Sequence, residues 1–254
     1  MLNPIYPTKL HKLATEAIVK YFSNDKRVTA IILTGSCTRG KATKDSCIDI
    51  TLLISDSRDY HTIDEKFEKF YKTNKISRKL EKAGKFAHVD LNISDGNFKP
   101  GCQGWTTAPD EFELEIGNTL VYSIPLFERG DFLRKLKRKW LPYYNEKLRK
   151  QRLTMAKEFC LNNLHHIPSY VKRGLYFQSS QRLSNAIKEF LQALFIKHRK
   201  YPIAYDKWIE EQMVDILGLP ELYPKLLSLL IIKDVKKDLV KNAHILEGLV
   251  DKYL

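Results

Sequence analysis

No segment of this 254-residue chain approaches 18 uninterrupted apolar residues, so no membrane-spanning helix is expected. The first 22 residues, MLNPIYPTKLHKLATEAIVKYF, carry polar side chains throughout; no secretory leader is expected, and a cytoplasmic location is the default. Cysteine is scarce. The four, Cys37, Cys47, Cys102 and Cys160, include no CxxC pair, which predicts free thiols rather than a disulfide framework or a cysteine zinc centre. The sequon Asn92-Ile93-Ser94 is then expected to carry no glycan. GxxxxGK(S/T), GxGxxG, HExxH and GxSxG are all missing, which removes the commonest phosphate-loop, dinucleotide, zincin and nucleophile-elbow signatures. His165-His166 has no partner at metal-ligand spacing and reads as a polar pair near a helix C-terminus.

Acidic residues are outnumbered, 30 Asp+Glu against 43 Lys+Arg, which sets the net charge at +13. The excess is uneven: residues 1–130 hold 19 basic against 17 acidic, whereas residues 131–254 hold 24 against 13. An anionic partner for the second half is one reading, and solvated faces of Lys-rich helices are the other.

What the chain does carry is concentrated in residues 35–54, GSCTRGKATKDSCIDITLLI. Val28, Ala30, Ile31, Ile32 and Leu33 precede it as a buried strand, the chain turns at Gly35-Ser36, and a second strand follows with Asp49 on it. A Gly-Ser turn at a strand end offers free backbone N–H groups to an anion. A carboxylate on the next strand can hold a divalent cation against that anion. Residues 47 and 49, two apart on a strand, stand about 6.6 Å apart at the backbone and point to the same face. Phosphate and metal together suggest nucleotide chemistry.

These residues resemble the signature of the nucleotidyltransferase superfamily that includes DNA polymerase beta. Gly35, Ser36, Gly40, Ser46, Ile48, Asp49 and Ile50 fall in its register without a gap, and one position departs, because Cys47 stands where the family has the first carboxylate of its pair. The third carboxylate of that family sits on a later strand, and FAHVDLNI at 86–93 offers Asp90. The resemblance implies that Asp49 and Asp90 hold Mg²⁺ or Mn²⁺ with Cys47 at the remaining ligand position. It also implies that Gly35 and Ser36 take the β and γ phosphates of a nucleoside triphosphate. Arg39, Lys41 and Lys44 lie inside the motif loop with Ser46, placed to neutralise the triphosphate, though Lys41 and Lys44 read equally as exposed loop charges. A thiol with pKa near 8.5 is mostly neutral at pH 7, and Mg²⁺ prefers hard oxygen ligands. Three readings follow: Asp49 and Asp90 suffice for one metal that arrives with the nucleotide; Asp45 or another carboxylate reaches in; or the domain binds nucleotide without efficient transfer.

The rest of the pattern predicts an α+β chain. A helix over 9–21, strands over 28–34 and 48–54, a charged helical stretch over 65–85, the Asp90 strand, a Gly- and Pro-rich loop over 95–110, a short helix near 110–116 and a strand over 119–123 ended by Pro125 make a small mixed sheet with flanking helices, residues 1–130. Residues 131–254 read as an all-α bundle with helices over 131–140, 146–164, 169–199, 206–217, 220–231 and 235–253, divided at Pro142, Pro168, Pro202 and Pro220. The third of these carries an apolar stripe, Ala186, Phe190, Ala193 and Leu194, suited to a bundle core. At its start Tyr170, Lys172, Arg173 and Tyr176 cluster; Arg173 is a candidate phosphate ligand and Tyr176 a base-stacking one. Lys207-Trp208 is a further candidate, although a Trp beside a Pro-containing turn is more often a packing anchor. Glu189, or Glu158, is the candidate general base toward an acceptor hydroxyl, a role a helical-domain Glu plays in some relatives.

The expected reaction moves a nucleoside monophosphate, AMP from ATP, onto a hydroxyl with release of pyrophosphate. The basic second half argues against polycationic acceptors and for a nucleic-acid end, a protein side chain or an anionic metabolite. The alternative is a nucleotide- or RNA-binding regulator that keeps the fold and has lost transfer. No Arg in the helical half is followed five to seven residues later by His, so the ribonuclease signature of helical partners encoded beside minimal nucleotidyltransferases is missing.

Overall fold

A computed structural model describes residues 3–102 and 104–254. The chain divides into two compact units, one made of Met1–Phe98 and Ile116–Pro142, the other of Lys99–Glu115 and Tyr143–Leu254.

The first unit is a small mixed sheet with flanking helices. Helix α1 (Lys9–Phe22) starts at Thr8, whose side chain accepts from the His11 N–H, and buries Ala14, Ile18 and Phe22. Strands β1 (Val28–Leu33) and β2 (Ile48–Ile54) pair antiparallel. Helices α2 (Tyr60–Thr73) and α3 (Lys75–Glu81) then carry the chain across to β3 (Val89–Ser94), which lies parallel to β2. The charged stretch thus forms two helices, with Asn74 capping the second. Ile48, Ile50, Leu52 and Ile54 pack into one core with α1, α2 and α3. Since side chains alternate along a strand, Asp49, Thr51 and Leu53 face the other side of the sheet.

Helix α4 (Phe112–Ile116) lies in the second unit up to Glu115, and the chain re-enters the first in a π-turn, Gly117–Val121, where sequence pattern predicts a strand. The strand comes later, as β4 (Ile124–Glu128), and Pro125 lies inside it rather than ending it. Strand order β3-β2-β1-β4 makes β4 an edge, where a residue without an N–H is tolerated, and the β1–β4 register shifts between Ile31 and Ile32, next to the Ile32–Pro125 pair. Helix α5 (Phe132–Trp140) packs against β1 with Leu133, Leu136 and Trp140 buried outside the α1–α3 core. It covers the face that carries Asp49. Close approach there requires Gly96, whose φ is +69° and whose Cβ would lie 2.5 Å from Leu136 Cδ1.

The second unit is helical. Helix α6 (Glu146–Lys172) continues through Pro168, where a break is predicted, and Gly174 ends it instead. Gly174 has φ +76°, and Leu175 N–H returns to the Tyr170 carbonyl, the six-to-one bond of a Schellman cap. His165-His166 therefore sits mid-helix; His165 Nε2 lies 2.9 Å from Glu247 Oε1. Helix α7 (Tyr176–Lys197) returns antiparallel to α6, as Arg149 bonding the Ile196 carbonyl and Cys160 bonding the Ala186 carbonyl require. The predicted helix 206–217 shortens to α8 (Ile209–Glu211) and a π-turn, Gln212–Ile216; α9 (Leu222–Ser228) is also shorter than predicted, and α10 (Val235–Tyr253) packs on α6 and α7. Cys160, Phe190, Leu194, Leu246 and Val250 fill this core. No helix among the described residues is long and apolar enough to cross a membrane.

The predicted boundary at residue 130 differs from the observed division in two ways. The first unit keeps residues to 142, and the second holds 99–115 through side-chain bonds: Arg182 to the Trp105 carbonyl at 2.8 Å and Asn185 to the Thr106 carbonyl at 3.1 Å. The charge moves with it. The first unit holds 23 Lys+Arg against 14 Asp+Glu and the second 20 against 16, so most of the cationic excess belongs to the sheet unit and not to the bundle.

Candidate functional site

The end of β1 and the starts of β2 and β3 converge in the first unit. Beyond Leu33 the chain enters a 3₁₀ turn, Gly35–Thr38, in which Gly35 has φ +69°. The turn is tied down on both sides: Thr38 Oγ1 donates to the carbonyls of Gly35 and Tyr122, each at 2.8 Å, and the Ser36 carbonyl accepts from the N–H groups of Arg39 and Lys41. Arg39 reaches back to the Gly35 carbonyl at 3.1 Å, which keeps its guanidinium at the turn. Thr34 joins the turn to β2, its N–H lying 2.9 Å from the Asp49 carbonyl and its hydroxyl 3.3 Å.

Asp49 stands directly over the glycine. A Cβ on Gly35 would fall 1.9 Å from Asp49 Oδ2, so the carboxylate occupies the space that any other residue at position 35 would fill. In the parallel ladder Asp49 is the register partner of Asp90. Cys47 Sγ lies 3.4 Å from Asp49 Oδ1, and ligand atoms of Cys47, Asp49 and Asp90 all fall within 4.8 Å of one another. Among the described residues no other group of three such side chains meets that spacing.

Two oxygen donors and one sulfur make an unequal set. Burial, and then the charges and hydrogen bonds of Asp49 and Asp90, push the Cys47 thiol up to about 12. Cys37, buried one turn away, rises to about 11 through burial and the Asp49 charge. Cys47 is a neutral thiol at physiological pH and a poor ligand for a hard cation, whereas Asp49 and Asp90 suit one. The position supplies a contact and not a charge.

Neighbouring candidates have other work. Ser46 Oγ accepts from the Thr43 N–H at 2.9 Å, and its carbonyl lies 3.0 Å from Nε2 of the buried His11, which pins the loop to α1. Asp45 accepts from the Lys85 N–H at 3.3 Å and does not join the cluster. Lys41 and Lys44 are exposed. In the second unit Arg173 is the exposed C-cap of α6, Tyr176 is half-buried at the start of α7, and Glu158 and Lys207 are exposed. Glu189, expected as a general base, is fully buried, with Asn163 Nδ2 donating to its Oε2 at 2.8 Å. Glu189 thus sits in the interior of the helical unit and not on an exposed face.

Sequence reasoning missed His88. Its Nε2 lies 2.9 Å from Asp90 Oδ1 and orients that carboxylate. The signal was present, since His88 precedes Asp90 by two residues and strand alternation places both on one face. Thr34 and His11 left no comparable trace, because their roles depend on backbone carbonyls distant in sequence.

Residues 16–101 match the family described as Polymerase beta, Nucleotidyltransferase. The match spans the Gly35 turn and all three clustered side chains. The crystal structure of a nucleotidyltransferase-like protein from Exiguobacterium sibiricum is similar at a TM-score of 0.47 and 16% identity, covering 95% of this chain and 74% of that one. No curated protein matches.

Proposed function

We propose, from the premise that residues 16–101 are a nucleotidyltransferase domain of the polymerase beta superfamily, that this chain transfers a nucleoside monophosphate from a nucleoside triphosphate, ATP in the first instance, to a hydroxyl with release of pyrophosphate. One observation carries the reading: Asp49 and Asp90 are register partners on adjacent parallel strands, with Asp49 over the Gly35 turn. The two carboxylates would hold Mg²⁺ or Mn²⁺, whose chemistry is to neutralise phosphate charge and lower the pKa of an attacking hydroxyl. The N–H groups of the Gly35-Ser36 turn and the Ser36 hydroxyl bind the β and γ phosphates, and Arg39, held beside them, adds positive charge. Lys44 and Ser46 flank this region, the second by shaping the loop. Arg173 and Tyr176 remain proposals for nucleotide contact, and the acceptor is an anionic molecule: a nucleic-acid end, a protein side chain or a metabolite.

Cys47 favours a second reading. A thiol where the family pattern has a carboxylate leaves the site one hard oxygen ligand short, which suits a nucleotide-binding regulator without transfer. Incubation with labelled nucleoside triphosphates, Mg²⁺ or Mn²⁺ and an acceptor panel separates the two. Label transfer by wild type, lost in Asp49→Ala, supports the enzyme; transfer by Cys47→Asp alone supports the regulator.

A further inference from the structure

Helix α5 carries five cations in nine residues, Arg134, Lys135, Lys137, Arg138 and Lys139, while Leu133, Leu136 and Trp140 face the interior. Amphipathic spacing alone would scatter the charges over the exposed arc. Three of them instead line an open groove of about 840 Å³ beside the edge strand β4: Arg134, Lys137 and Arg138, above an apolar floor of Pro125, Leu133 and Leu141. None of the three is held in an ion pair among the described residues, whereas Lys135 pairs with Asp131 at 3.1 Å. Among the described residues that line the groove, Glu128 is the one acid.

Four residues along a helix advance about 6 Å, so Arg134 and Arg138 present charges at a separation close to that of successive phosphates on an extended strand. The cations take the phosphates, and since the described lining offers no aromatic ring on which a base would stack, the contact is with the backbone and not with the bases. Among the described residues that line the groove, Leu141 is the one large apolar side chain left exposed, too little for the apolar face that a membrane surface would bury. The cationic excess of the sheet unit points the same way.

We propose that the α5–β4 groove binds the sugar-phosphate backbone of a single-stranded nucleic acid. The groove lies in the same unit as Asp49, on a helix that covers the same sheet face; its further role of guiding an acceptor strand rests on the transferase reading, while binding itself does not. The test uses full-length protein in the Asp49→Ala background, without nucleotide, and measures anisotropy of labelled single-stranded RNA and DNA oligonucleotides between about 50 and 200 mM salt. Arg134→Ala, Lys137→Ala and Arg138→Ala combined should weaken binding at least tenfold and lower the slope of log affinity on log salt by about 2, at roughly 0.7 per phosphate contact. Glu128→Gln should tighten binding, and circular dichroism should show each variant folded. Oligonucleotide binding that is absent, or unchanged by the triple variant, overturns the proposal, as does retention on phosphatidylserine vesicles in place of oligonucleotide. Binding as expected alongside a wild type that transfers no label sinks the transferase reading and leaves the groove standing.

Discussion

Gly35 is where backbone and chemistry constrain one residue twice. Its φ of +69° disfavours any side chain, and the space a Cβ would take belongs to Asp49 Oδ2. Gly35→Ala should cost about 1–2 kcal/mol of stability from the left-handed backbone, and should also turn the Asp49 carboxylate away from Asp90. Thermal unfolding checks the first effect and Mn²⁺ titration by calorimetry the second. A variant that binds Mn²⁺ as wild type does would show that Asp49 has another rotamer equally suited to the metal. The Gly-Ser turn and the two carboxylates were legible because each is local: a turn dipeptide, and apolar residues flanking an acid. The thiol was legible as a departure. Its protonation was not, since that depends on burial and on two charges that only the folded strands bring to it.

At the scale of elements, proline is the sign that misled, and for one physical reason. Proline stops an element only where its missing N–H is needed or its ring meets the previous turn. Pro125 sits on an edge strand at a register shift, and Pro168 lies within α6 at the cost of the hydrogen bond the Leu164 carbonyl would otherwise receive. The stop between α6 and α7 is Gly174, which the pattern around Pro168 obscured. A Cβ there would meet nothing within 4 Å, so Gly174→Ala isolates the backbone term from any clash. Stability in urea should fall by about 1 kcal/mol, with the m-value unchanged. No loss at all would mean that the cap tolerates another geometry and that the α6–α7 turn is held by packing alone. Strands β1 and β2, and helices α1, α5 and α10, were readable because their apolar spacing runs uninterrupted.

For the whole molecule, the division into units was the least legible feature, because neither unit is continuous in sequence. Residues 99–115 join the helical unit through groups far apart in the chain, centred on Arg152. That guanidinium is buried between two carboxylates, bonding Glu113 Oε1 at 2.6 Å and Asp110 Oδ1 at 2.5 Å, with Tyr144 and Gln192 also donating to Glu113. Burial alone would lower the pKa of Arg152, but its bonds to Glu113 and Asp110 overcome that and hold it above the ordinary value. No local pattern announces such an arrangement, which is why the boundary expected at 130 missed it. Arg152→Ala leaves two carboxylates in the interior without a cation, and stability at pH 7 should fall by about 3–5 kcal/mol. Limited proteolysis at pH 7 should cut the variant within residues 99–109. Stability recovered by Arg152→Met, which restores volume without charge, would locate the damage in lost packing around Phe112, over whose ring the guanidinium lies, and not in the uncompensated charge.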